Sequence, residues 1–192
     1  AASLAARRGG GVLLVDAADA ERRAALPGCP GIETLTVPSP VWPGGVERWR
    51  ARCEDPHRAH ELTLTDWGAL ALPDLFAVGA HSHLVCLTTT AERTAVQRAL
   101  DAAAFLRESG IPALLVASAV RGRAGIAARR MLASPPIPLL PLPYDPGARR
   151  TGAVAVSDAS AAALAQLGAA IVRACGGTDR AGGAGASGGS GA

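Results

Sequence analysis

Residues 83–118 read HLVCLTTTAERTAVQRALDAAAFLRESGIPALLVAS, and this stretch decides the architecture. HLVCLTT (83–89) is a strand-like apolar run, and IPALLVASAV (111–120) has the continuous apolar character of a strand buried on both faces. Between them Val96, Leu100, Ala103 and Leu106 recur at three or four residues, the period of one helix face, and Gly110 closes the element. Glu92, Arg93, Arg98, Asp101, Arg107 and Glu108 then form the solvated face of that helix. Strand, helix and strand in this order call for parallel pairing through a helical crossover.

The same alternation extends both ways. Upstream, SLAARRGG (3–10) reads as the last turns of a helix, GVLLVDAA (11–18) as a buried strand, and residues 19–26 as a short helix. IETLTV (32–37) is the next strand, GVERWRARCED (45–55) a helix after Pro43, HELTLTD (60–66) the third strand, and LPDLFAVGAHS (72–82) a short helix. Downstream, RAGIAARRML (123–132) is a helix, PIPLLPLP (136–143) a strand bounded by prolines, and ASAAALAQLGAAIVRACGG (159–177) a closing helix of small residues. The expected fold is a three-layer α/β domain over residues 1–176, a mostly parallel sheet with helices on both faces. Residues 177–192 are Gly, Ala and Ser for the most part, cannot bury a core, and are expected to be disordered. GAGASG (183–188) and GASGG (185–189) spell two nucleotide- and hydrolase-like motifs there, but neither follows a strand or opens a helix.

Composition narrows the function. The 192 residues suffice for one domain with a core, and although 49% are apolar only six are aromatic, so the core is built from Ala, Val and Leu. No window approaches eighteen unbroken apolar residues, which argues against a transmembrane helix, and AASLAARRGG lacks the plan of a secretory signal. All 19 basic residues are arginine, so a reaction that needs lysine cannot find it in this sequence. The arginines fall in scattered doublets without interleaved aromatics; they permit phosphate contact but do not announce a nucleic-acid binder, and the net charge of +3 is mild. The four cysteines show no C-x-x-C, and Cys86 lies in an apolar run, as befits a reduced cytoplasmic protein with buried thiols. Cys53, His57 and His60, interrupted by Pro56, and the pair His81 and His83 fall short of three or four convergent metal ligands with a supporting shell. Residues 158–175 carry a single arginine and no bulky cationic face, so this end is not a membrane anchor.

In open parallel sheets ligands bind beyond the carboxyl ends of the strands. Asp16 after GVLLV, Asp66 after LTLT, Ser118 in IPALLVAS, and Asp145 after PLPY all fall there. Acids at that edge suit a magnesium–nucleotide site, one holding the hydration shell of the metal and another orienting water; each also serves as a cap of the turn that follows it.

These positions resemble those of the ParA/MinD-type ATPases. LAARRGGGVLLVDA is similar to the stretch that follows their phosphate loop, and LTLTDWGAL to their Walker B strand with its switch turn. SHLVCLTTTAERTAVQRALDAAAFLRESGIPALLVAS resembles the succeeding strand, helix and strand, and PLPYDPGAR the I-P-x-D-P segment near the nucleotide base. The resemblance implies a P-loop NTPase fold using ATP and Mg2+, with Asp66 holding magnesium through water and Asp16 supporting the switch or the attacking water. Ser118, Pro143 and Asp145 would lie about the base. It also implies an ATP-dependent homodimer, a protein activator or cargo adaptor, and a role in chromosome or plasmid partitioning, in septum or cell-pole placement, or in secretion- or pilus-associated positioning.

Four departures qualify the resemblance. Where the family has V-D-x-D, Asp16 is followed by Ala17, Ala18 and Asp19, so the second acid is replaced or displaced. Ser118 stands where an Asn is common, and Trp67 where a small residue or proline is usual. No G-x-x-x-x-G-K-[ST] loop is present. The expectation is a C-terminal portion of a longer ATPase whose missing interior strand would leave unpaired backbone on two neighbours. The rival is a pseudo-ATPase that uses the fold as a binding or dimerisation module, favoured by Ala18 and the absence of lysine.

Overall fold

The structure is a computed structural model that describes residues 11–18, 31–37, 45–119, 125–146 and 157–176. It divides into two compact units, residues 1–78 and 79–192. The helices expected at 3–10 and 19–26 and the tail after 176 lie outside the described residues.

In the first unit, β1 (Val12–Asp16), β2 (Ile32–Thr36) and β3 (Leu62–Asp66) form a parallel sheet in the order β2-β1-β3. The central strand, β1, is the most buried, with Val12, Leu13 and Val15 at 1% exposure or less. That is why its sequence is continuously apolar while the flanking strands alternate with threonine. Helix α1 (Gly45–Ala59) covers one face: Trp49 and Cys53 pack on Leu13, Val15, Ala17 and Val37. The helix runs through Pro56, past the break expected there. Proline costs a helix its own amide donor and crowds the preceding turn. Here the carbonyl that loses its donor is that of Arg52, an exposed residue, and the last-turn carbonyl of Pro56 accepts from His60 Nδ1 at 2.7 Å. Helix α2 (Leu72–Gly79) begins after the β3 turn.

The second unit is a three-layer sandwich. Strands β4 (Val85–Thr90), β5 (Ala113–Ser118) and β6 (Leu139–Leu142) pair in parallel in the order β4-β5-β6. Side-chain alternation sorts the two faces. Leu87, Ala113, Leu115 and Leu139 pack with Ala99 and Ala103 of α3 (Arg93–Glu108). Leu84, Leu114, Val116, Leu140 and Leu142 pack with Leu167 and Ala170 of α5 (Asp158–Gly176). The small residues of α5 let it lie close to the sheet. A short α4 (Ile126–Met131) precedes β6. Helix α3 stops where Gly110 was expected to stop it: with φ +70°, Gly110 donates to Arg107 O and Ile111 to Leu106 O, closing the last turn.

Among the described residues β3 pairs only with β1 and β4 only with β5, so each stands at a sheet edge. Cys86, expected to be buried, is exposed on β4 for this reason. The exposure belongs to the residue as a whole. Its sulfur is crowded by protein atoms, and burial first, then Cys175, push its thiol up to about 11.

Candidate functional site

The two acids of the first unit come together. The β1–β3 register sets Asp16 opposite Asp66, so two carboxylate residues end adjacent parallel strands. At a strand spacing of about 4.8 Å their backbones are nearest neighbours. The ladder continues one step past them, Ala17 N donating to Asp66 O and Val37 N to Asp16 O, both at 2.9 Å. Each carboxylate then folds back on its own turn. Asp16 Oδ1 accepts from Ala18 N at 3.2 Å, and Asp66 Oδ1 from Gly68 N at 2.9 Å. Such turns suit Asp because its short side chain reaches the amide two residues on.

The turns also touch. Gly68 has φ +66°, and a Cβ built on it would meet Ala18 Cβ at 3.2 Å and Ala18 Cα at 3.5 Å. Ala18, where the resemblance puts a second acid, is therefore the floor under Gly68 and only 6% exposed. Asp16 is half-buried and Asp66 exposed, so neither charge is stripped of water. Behind the turn, the indole of Trp67 joins the α1 core, 4.8 Å from the ring centroid of Trp49 and tilted by 60°. Trp49 in turn meets His57 edge-on, at 5.6 Å. Trp49 Nε1 and His57 Nε2 are buried with no hydrogen-bond partner among the described residues, and burial lowers the pKa of His57. Spacing in GVERWRARCEDPHRA places Trp49, Cys53 and His57 on one face of α1, but their meeting with Trp67 is a tertiary fact that sequence reasoning missed.

In the second unit Ser118 ends β5, half-buried, in register with Thr90 on one side and Leu142 on the other. Ala91 N donates to Ser118 O at 3.0 Å, and Ala119 N to Leu142 O at 3.2 Å. Pro143 therefore follows β6 at the carboxyl edge beside Ser118. Asp145 also braces a helix end. Its Oδ2 accepts from the N–H and hydroxyl of Ser157, at 2.9 and 3.1 Å, while Ser157 Oγ accepts from Ser160 N at 3.2 Å. Ser157 is thus the cap of α5, and Asp145 braces it with a negative charge at the helix's positive end.

His60 Nε2 pairs with Glu33 at 3.2 Å, while Cys53 and His57 face the α1 core. Among the described residues no group of three His, Cys, Asp or Glu side chains could hold a metal by itself. Magnesium does not require one, since it binds through one or two carboxylates, with water and substrate phosphate completing the shell. Asp16 and Asp66 fit that description.

Parallel sheets flanked by helices, with acids at the carboxyl edge, define a P-loop NTPase-like α/β fold, and the fold is of the ParA/MinD type. A ParA family ATPase from Chlorobium tepidum TLS is similar with a TM-score of 0.55 at 16% identity, over 77% of this chain and 78% of that one. MinD cell division protein from Aquifex aeolicus is similar with a TM-score of 0.54 at 14% identity, over 77% and 75%. A MinC:MinD cell division protein complex from the same organism gives 0.53 at 14% identity, over 77% and 74%. No protein-family model and no curated protein matches the sequence. Among the described residues no helix is long and apolar enough to cross a membrane.

Proposed function

We propose that this chain is the body of an ATP- and magnesium-binding ParA/MinD-like protein of the cytoplasm. It dimerises in the ATP state and serves intracellular positioning, in chromosome or plasmid partitioning or in septum or pole placement, through a protein activator or cargo adaptor. The observation that carries this reading is the pairing of Asp16 with Asp66 at the carboxyl edge of adjacent parallel strands. Asp66 holds magnesium-bound water, Asp16 supports the neighbouring turn, and Ser118 and Pro143 border the base. Asp145 contributes there by fixing the Pro143 segment to the α5 cap. The edges of β3 and β4 give further support. The outer strands carry features that discourage pairing, Glu33 in β2 and Pro141 in β6, whereas β4 carries neither charge nor proline and β3 carries a charge only at its last residue, Asp66. Each of these two edges suits a further parallel strand.

A second reading is favoured by Ala18. A buried methyl group under Gly68 stands where the family's second acid would act, which favours a protein that binds nucleotide without rapid turnover. ATP titration of the full-length protein, with magnesium and with EDTA, tests both. Asp66→Ala is expected to weaken the magnesium-dependent affinity about ten- to a hundredfold, the scale of a lost charged interaction. Absence of ATP binding, or binding indifferent to Asp66, refutes the proposal; phosphate release then separates the ATPase from the non-hydrolysing module.

A further inference from the structure

The turn that carries Asp66 has three anchors. Asp66 Oδ1 accepts from Gly68 N, Gly68 rests on Ala18, and the indole of Trp67 lies against Trp49 in the β1–α1 core. The first two are short-range contacts among residues of the two acid-bearing turns. The third ties the turn to a different element. Trp49 is only 6% exposed, so the surface on which Trp67 lies is itself fixed. A stiff, two-torsion side chain seated on a fixed partner restricts the backbone that carries it, and here that backbone also carries Asp66 on one side and left-handed Gly68 on the other.

We infer that Trp67 is a positioning residue for the Asp66 carboxylate, and that its indole reports ligand occupancy there. The inference rests on the proposed function, because it assigns Trp67 a part in magnesium-dependent binding. Trp67 acts through geometry: it keeps Asp66 in one conformation before the cation arrives, so that binding does not have to order the turn. Removing the ring leaves the acid and the fold but frees the turn. The loss falls on the magnesium-dependent part of nucleotide affinity, not on affinity in general.

The test uses the full-length protein, titrated with ATP in magnesium and in EDTA. The ratio of the two affinities is the readout, accompanied by tryptophan emission. Trp67→Ala is expected to reduce that ratio about three- to tenfold, the size of an aromatic pair's contribution, with the EDTA affinity unchanged. Trp67→Phe, which keeps a ring on Trp49, restores most of it, and the ligand-dependent change in emission disappears in both. Trp67→Leu carries the same test should the alanine variant melt below the assay temperature. A parental ratio in Trp67→Ala and Trp67→Leu overturns the inference, as does an equal loss with and without magnesium, which a merely structural role would give. If Asp66→Ala leaves the ratio untouched, the proposed function itself is overturned, a result the Trp67 variants cannot mimic.

Discussion

Replacing Gly68 by alanine strikes the closest approach between the two acid-bearing turns. The cost has two parts. With φ at +66° an L-residue meets its own carbonyl, a penalty of about 1–2 kcal/mol. The new methyl would also lie 3.2 Å from Ala18 Cβ and 3.5 Å from its Cα. Ala18 cannot simply swing aside, because it is 6% exposed and its N–H is held by Asp16 Oδ1. Overpacking of this kind costs about 1–3 kcal/mol. The total expected for Gly68→Ala is the sum of those two ranges, roughly 2–5 kcal/mol. Gly110 supplies the control. It has φ +70° but nothing within 4 Å of its built Cβ, so Gly110→Ala should cost only the conformational part, about 1–2 kcal/mol. Urea unfolding measures both, followed by tryptophan emission for Gly68→Ala, since Trp49 and Trp67 lie in its unit, and by far-ultraviolet circular dichroism for Gly110→Ala. If Gly68→Ala costs no more than Gly110→Ala, the contact with Ala18 has no energetic weight. If it costs nothing, the left-handed turn beside Asp66 is refuted.

Two further predictions concern the supports of the site. Ser157→Ala removes the α5 cap and the hydroxyl that meets Asp145, and should destabilise the second unit by about 0.5–2 kcal/mol in chemical denaturation, with Ser157→Asn recovering part of the loss. His57 has its pKa lowered by burial, so the unfolded chain takes up its proton more readily than the folded one. Its stabilising effect is whole above the ordinary histidine range near 6.5 and declines as pH falls below that, until the folded pKa is passed. Melting temperatures measured from pH 7.5 down to 5 should therefore fall more steeply for the parent than for His57→Phe; parallel curves would show that His57 is not desolvated.

Periodicity made the second unit legible and left the first half-hidden. The apolar run of β5, the Val96–Leu106 stripe of α3 and the Gly110 stop are local signals, and each appears where local physics puts it. Pro56 reads as a stop because a proline inside a helix ordinarily is one; the helix instead continues to Ala59, and the contact from His60 that caps its last turn comes from beyond its end. The acids after GVLLV and LTLT were visible as a class, since strand ends are where such sheets bind ligands. Their mutual register depends on β3 pairing directly with β1 rather than with β2, a choice that a list of strands does not contain. Asp145 is the reverse case. It looks like the other strand-end acids, yet it is bonded to a serine twelve residues later, and no local pattern in PLPYDPGAR predicts that partner.

These differences separate what a cap explains from what it does not. Capping accounts for one oxygen of Asp16, one of Asp66 and one of Asp145, and an Asn or Ser would serve each of those turns nearly as well without carrying charge. At Asp145 the charge has a further use, because it faces the N-terminus of α5. At the β1–β3 edge it has a cost instead: two like charges end neighbouring strands, and their repulsion, though screened at an exposed edge, opposes the register that brings them together. Asp66 accepts from Gly68 through Oδ1, and among the described residues nothing donates to its other oxygen. The turn at Asp66 therefore gives no reason for that residue to be charged. The magnesium proposed above would give one, since it would offset the repulsion of the pair and meet the Asp66 oxygen that the turn leaves unused.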